Sequence, residues 1–199
     1  MIPSKKKGTP ISSLSREAQP SDGYILAIDP SLRSTGYAIV DKTNNRAIDV
    51  GRIITTDNIS GAERIARIHL EIKQIILNHS EINTLAIEDQ FMYKNADTLK
   101  KLSQVCGAII LSATLHGIPC YLYSPTQIKK ATTGKGNADK NEVYQNIREL
   151  HKNNEKVFQI LYSPNIMSSG KNKNDDMSDA LAIARTHQVL QQEKGNSGD

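Results

Sequence analysis

The sequence predicts an α/β domain built on a five-stranded mixed sheet flanked by helices. Three observations carry that reading. Tyr24 to Asp29, YILAID, is a continuous apolar run closed by a carboxylate, as in a central strand covered on both faces. Ile65, Ile68, Ile72 and Ile75 recur at spacings of three and four, which places them along one side of a helix. The segments follow one another in the order βββαβαβααα, and strands interleaved with helices give a sheet with parallel neighbours.

The elements follow from local chemistry. Pro30 and Ser31 turn the chain after the first strand. Thr35 to Val40 is the second strand, with Gly36 at a close approach, and Arg46 to Thr55 is the third, so these three form an antiparallel meander. A helix spans about Gly61 to Asn78, and Arg64 on it is expected to lie far from any site. Thr84 to Ile87 is a short strand ended by Glu88. Leu99, Leu102, Cys106, Ile109 and Ala113 mark a long helix from about Asn95 to His116, stopped by Gly117. Ile118 to Tyr123 is the fifth strand. Ser124-Pro125 caps a short helix through Lys130. A loop from Thr132 to Ala138, a helix from Lys140 to His151, an irregular polar stretch from Asn153 to Asn174 and a helix from Asp176 to Val189 complete the chain.

A length of 199 residues suits one domain with tails. The expected division is a disordered basic arm over 1–23 carrying Lys5, Lys6 and Lys7, a folded domain over 24–190 and a flexible tail over 191–199. The formal charge of +4 and pI of about 9.0 favour a polyanionic partner modestly. No apolar run is long enough to span a bilayer, and no secretory h-region is present, so no membrane partner and a cytoplasmic location are expected. Cys106 and Cys120 lack C-x-x-C spacing and read as reduced, buried small hydrophobes.

Any one acid is most often a solvated surface charge. Position changes this for four of them. Asp29 and Glu88 each end an apolar strand, where open sheets collect their sites. Asp176 and Asp179 are spaced i, i+3 at a helix start, so they share a face; helix capping explains them as well as catalysis does. If the strand ends and this helix start converge, four carboxylates meet, and they do not all stay ionised without cations. Hard oxygen donors select Mg²⁺ or Mn²⁺ over zinc. Two such ions, roughly 3.5–4 Å apart, can clamp a phosphodiester for in-line hydrolysis.

Four blocks of the sequence, LAIDPSLRSTGYAI, IEDQFMYKNADTLKKLSQVCGAI, QIKKATTGKGNADKNEV and DDMSDALAIARTH, resemble the RuvC-type Holliday junction resolvases in order and spacing, over most of Ile25 to His187. The resemblance implies an RNase H-like fold, a homodimer, and paired nicks across a four-way DNA junction that leave 5′-phosphate and 3′-hydroxyl ends. It implies two Mg²⁺ ions per site, with Mn²⁺ substituting, held by Asp29, Glu88, Asp176 and Asp179. Asp175 is an extra neighbour, and the sequence leaves open whether it exchanges with Asp176. Phe91 matches an aromatic wedge near the crossover, and Lys129 and Lys140 match basic residues near the scissile phosphate. The helix from Asn95 to His116 matches the family's dimer helix.

The chain departs from the family's pattern in three places. D-P-G becomes Asp29-Pro30-Ser31, the 153–174 connection is long, and the N-terminal arm is additional. These suggest a divergent or phage-type member, acting in a bacterial cell or phage-infected host, and leave sequence preference and a branch-migration helicase partner open. The rival readings are a sugar-kinase or actin-like ATPase, which needs two such domains, a non-catalytic junction-binding protein, and an RNase H-like nuclease acting on other branched DNA or on RNA.

Overall fold

Ile25, Leu26, Ala27 and Ile28 are wholly buried, because their strand β1 (Tyr24–Asp29) is the middle of the sheet and is covered on both sides. Burying each large side chain of this kind contributes about 1.5–3 kcal/mol. A computed structural model describes residues 22–89, 95–162 and 175–196. Among them β1 is joined by β2 (Ser34–Asp41), β3 (Ala47–Ile54), β4 (Ile82–Glu88) and β5 (Cys120–Tyr123) in the order β3-β2-β1-β4-β5. The β1–β2 and β2–β3 pairs are antiparallel, whereas β1–β4 and β4–β5 are parallel. This is the predicted mixed sheet.

Alternation along β1 sorts the two layers. Leu26 and Ile28 face α1 (Gly61–Asn78) and α2 (Ala96–Leu115), meeting Ile68, Ile72, Val105 and Ile109. Ile25 and Ala27 face the opposite layer, made of α3 (Pro125–Thr133), α4 (Lys140–Leu150), α5 (Glu155–Tyr162) and α6 (Asp175–Asn196). On that side the core holds small residues from both layers, Ala27, Ala38 and Ala86 of the sheet and Ala180, Ala182 and Ala184 of α6. Small side chains let α6 lie close to the sheet, and α6 is buried almost all round over its first four turns.

Local signals set the boundaries. Gly117, at φ 67°, closes α2 in a Schellman arrangement: Gly117 N donates to Thr114 O at 2.9 Å and Ile118 N to Ala113 O at 3.0 Å. Those bonds occupy Ile118, so β5 starts at Cys120 rather than at Ile118. Two expectations need correction. The stretch from Asn153 is not wholly irregular: α5 forms there, with Val157 and Leu161 four residues apart and buried, and with Val157 N donating to the Asn154 side chain. The final helix does not stop at Val189 but continues to Asn196, into the segment expected to be a flexible tail. Cys106 and Cys120 are free thiols, and burial pushes them up to about 12 and about 11. Among the described residues no helix is long and apolar enough to cross a membrane.

Candidate active site

β1 and β4 run parallel with Ile28 paired to Ile87, so Asp29 and Glu88 leave the sheet side by side. Glu88 is in turn paired with Tyr123 at the end of β5. The other acids arrive on α6, and a glycine brings them in. Gly36 is the antiparallel partner of Asp29. A Cβ built on Gly36 would lie 2.0 Å from the carbonyl oxygen of Asp176, so the first turn of α6 rests directly on the β2 backbone. No other residue type permits that approach.

The four acids therefore act on one another. The Asp29 carboxyl is held well above the ordinary carboxylate range, first by burial, then by the charges of Asp179, Glu88 and Asp176, with partial relief from Lys140. Asp179 is also raised, mainly by burial, against the pull of Lys140. As positioned, no group of three or more His, Cys, Asp or Glu among the described residues is gathered tightly enough to hold an ion. The donor set is nonetheless all oxygen and all acidic, which fits a hard divalent cation, and the mutual repulsion at Asp29 is what such a cation relieves.

Lys140 is the first residue of α4, whose start is fixed by a capping box between Asp139 and Glu142. Its Nζ lies 3.1 Å from Asp179 Oδ2 and 3.4 Å from Asp175 Oδ2. Burial alone lowers the ammonium pKa, but the two carboxylates outweigh it and the net shift is upward. The Lys140 side chain is 62 % exposed, so these pairs stabilise the fold little; their effect is to station a cation at the site.

The neighbours Asp175 and Asp176 separate clearly. Asp176 accepts a hydrogen bond from Ser34 Oγ and adds to the repulsion at Asp29, whereas Asp175 pairs with Lys140. Ser34 was not among the residues singled out from sequence. It is delivered by the Asp29-Pro30-Ser31 turn, where the Ser31 hydroxyl accepts from the backbone N–H groups of Arg33 and Ser34, both at 3.3 Å. The departure from D-P-G thus supplies a side chain that organises the turn.

Lys129 and Lys140 stand on the rim of a cavity of about 290 Å³ that also reaches Glu88 and Asp179. Phe91 lies outside the described residues. Arg64 is not remote: it donates to Thr55 Oγ1 at 2.9 Å, Asp57 Oδ1 at 2.7 Å and Leu32 O at 3.2 Å, tying α1 to the loop that follows Asp29.

A mixed β3-β2-β1-β4-β5 sheet with acids at the carboxyl ends of its two central parallel strands and on the helix crossing them is an RNase H-like domain. The family model described as Crossover junction endodeoxyribonuclease RuvC matches residues 25–187, and the chain belongs to that family. The crossover junction endodeoxyribonuclease RuvC of Citrifermentans bemidjiense is 37 % identical over 165 residues, spanning 82 % of this chain and 90 % of its own. That of Caldicellulosiruptor saccharolyticus is 32 % identical over 166 residues, with the same two coverages. Among solved structures, Thermus thermophilus RuvC superimposes with a TM-score of 0.66 at 25 % identity, covering 86 % of this chain and 96 % of its own. The yeast mitochondrial Holliday junction resolvase shares the fold, with a TM-score of 0.58 at 13 % identity over 86 % of this chain and 82 % of its own. RuvC proteins are metal-dependent nucleases.

Proposed function

We propose that this protein resolves Holliday junctions, nicking two strands of a four-way DNA junction in a reaction that requires Mg²⁺ and leaves 5′-phosphate and 3′-hydroxyl ends. The observation that carries this is the convergence of Glu88, Asp176 and Asp179 on Asp29 in a chain of the RuvC family. Asp29, Glu88, Asp176 and Asp179 would hold two Mg²⁺ ions, and Mn²⁺ would serve in their place. When bound, the cations supply Lewis-acid activation of water and charge stabilisation at the leaving 3′-oxygen.

The chain's own groups do the rest. Ser34 fixes the orientation of Asp176. The closely packed α6 keeps Asp176 and Asp179 in register with the strand ends. Lys140, paired with Asp179 and Asp175, stands where its ammonium would contact the scissile phosphate. Lys129 supplies a second phosphate contact, and Phe91 wedges against unstacked bases. Leu111 and Leu115, 53 % and 69 % exposed on α2, support the expected homodimer, which would set two such sites on the two strands.

The test is a panel of four-way junction, three-way junction, flap and RNA–DNA hybrid, each with Mg²⁺ or EDTA. Symmetric paired nicks in the four-way junction alone, abolished by EDTA, are expected. Equal cutting of the panel would replace this reading with a broader nuclease, and binding without cutting in Mg²⁺ would leave a junction-binding protein.

A further inference from the structure

We infer that the recess between the β2–β3 turn and the α4–α5 corner is a binding site for a nucleoside phosphate, separate from the carboxylates. The pairing of β1 with β2 puts Asp29 opposite Gly36 at one end of the sheet and Tyr24 opposite Asp41 at the other. The turn that lines the recess follows Asp41, so about 17 Å of strand separates it from the acids. Helix α4 covers the same interval: Lys140 begins it at the acids, and His151 caps it in the recess.

The recess has a volume of about 490 Å³, inside the roughly 300–1,000 Å³ of small-ligand sites. Its lining divides into groups that hold the walls and groups with nothing to hold. Asn44 is of the first kind: its Oδ1 accepts from Arg46 N at 2.9 Å and its Nδ2 donates to Asp41 Oδ2 at 3.2 Å. Asn154 joins the two walls, since its Nδ2 donates to Ala47 O at 2.8 Å while its Oδ1 accepts from Val157 N at 3.3 Å. Lys156 is paired with Asp49 at 2.7 Å. These bonds fix α5 against the edge strand β3, so the recess is formed before any ligand arrives.

Asn45, Arg46, His151 and Asn153 are of the second kind: no side-chain hydrogen bond or ion pair holds any of them among the described residues. His151 separates a site from a mere groove. It is 4 % exposed, and a polar side chain so buried ordinarily has a partner. Burial pushes its imidazole down to about 4, so at neutral pH it is an uncharged ring with one donor and one acceptor. Asn45 stands at φ 59°, in the left-handed region, held there by the bond from its N–H to Asp41 O.

The ligand class follows from these groups. Arg46 is a guanidinium without a carboxylate, so it calls for an oxyanion, and its fork suits a phosphate. Lys156 adds positive charge to the same lining, and Glu155, the one acid there, accepts from Gln159 Nε2. The two amides and the neutral imidazole each offer a donor and an acceptor, which matches the mixed edge of a nucleobase. Leu150, 42 % exposed, gives a base face an apolar surface. A metal ion finds no pair of carboxylates here, and an uncharged sugar leaves Arg46 unanswered. A duplex does not fit, because its backbone reaches the rim while His151 lies beneath it.

The test is calorimetry on the full chain without DNA, in EDTA, with dAMP, dGMP, dCMP and dTMP as probes beside ribose 5-phosphate and inorganic phosphate. At least one nucleotide should bind with a Kd below about 1 mM, and both simpler phosphates about ten-fold or more weakly. Arg46→Gln should weaken nucleotide binding about ten-fold or more, the effect of losing hydrogen bonds to a charged group. Asn45→Gly, which keeps the left-handed turn and removes the amide, should weaken it several-fold. Lys140→Ala should leave nucleotide affinity unchanged, and Arg46→Gln should leave junction cleavage in Mg²⁺ unchanged. No binding by any of the four nucleotides overturns the inference. Ribose 5-phosphate or inorganic phosphate binding as tightly as the nucleotides overturns it too, since the site then takes a bare anion. Binding lost in Lys140→Ala and kept in Arg46→Gln refutes it by placing the ligand beside the acids. A fall in junction affinity in Arg46→Gln, with no nucleotide bound by the wild type, assigns the rim to a DNA arm instead.

Discussion

Replacing Gly36 with alanine tests how α6 is brought to the acids. The new methyl carbon would sit 2.0 Å from the Asp176 carbonyl oxygen, 2.5 Å from its carbonyl carbon and 3.0 Å from its Cβ. Ordinary contact begins at 3.4 Å, so the helix start must retreat by about 1.4 Å. The obstacle is backbone, which cannot rotate aside as a side-chain tip can. Overpacking of this kind costs about 1–3 kcal/mol. For a chain of this size each kcal/mol lowers Tm by about 2–4 °C, so a fall of about 2–12 °C is expected. The catalytic effect is larger, because a displacement of about 1 Å in a positioned group costs about 10²-fold in rate. Cleavage of a fluorescent four-way junction in Mg²⁺ should therefore slow by about two orders of magnitude, while junction binding in Ca²⁺ stays within a few-fold. Gly61→Ala, with nothing within 4 Å of its added methyl, is the control and should leave both unchanged. A Gly36→Ala protein that cuts within three-fold of wild type and melts normally would show that the acids do not depend on this approach.

Asp29→Asn should bind junctions normally and lose nearly all cleavage, and the same variant checks a pH effect. Because the folded-state pKa of Asp29 is raised above 3.8, the native state holds a proton that the unfolded chain releases, so in EDTA stability should fall as pH rises from about 3.8 through the raised value. Melting curves in EDTA should show a shallower loss in Asp29→Asn, and Mg²⁺ added at pH 8 should raise Tm in the wild type far more than in the variant; parallel wild-type and variant curves would refute the shift. Ser34→Ala removes the hydrogen bond to Asp176 and should weaken Mn²⁺ binding by about ten-fold, read by calorimetry without DNA. Lys140→Ala should slow cleavage by about 10²-fold, whereas Lys73→Ala, an exposed change on α1, should alter it less than two-fold; equal effects would reduce Lys140 to a general phosphate contact.

Much of this fold was legible because burial leaves a simple trace. YILAID reads as a strand covered on both faces, and the isoleucines of α1 read as one helix face. The helix α5 was hidden by the polarity around it: two buried positions, Val157 and Leu161, lie among Asn153, Asn154, Glu155 and Lys156, and a helix of eight residues leaves few periods to read. At the site, Asp29 and Glu88 were visible because each interrupts an apolar run. The distinction between Asp175 and Asp176 was not, since adjacent acids on a helix start differ only in direction, and direction is set by where α6 rests on Gly36. Ser34 gave no local signal at all. Its partner is 142 residues away, and only the folded arrangement makes them neighbours.

The four acids ride on β1, β4 and α6, the most deeply embedded parts of the chain, while Lys129, Val143 and most of the cavity wall ride on α3 and α4, short helices at the periphery. This separation has an evolutionary consequence. Substitutions at Pro125, Ile128 and Val143 can reshape the cavity wall without replacing a carboxylate or Lys140, so selectivity can drift over generations while the charged groups are inherited intact. A library confined to Pro125, Ile128 and Val143 would sample that drift directly, with the strand ends left as a fixed frame.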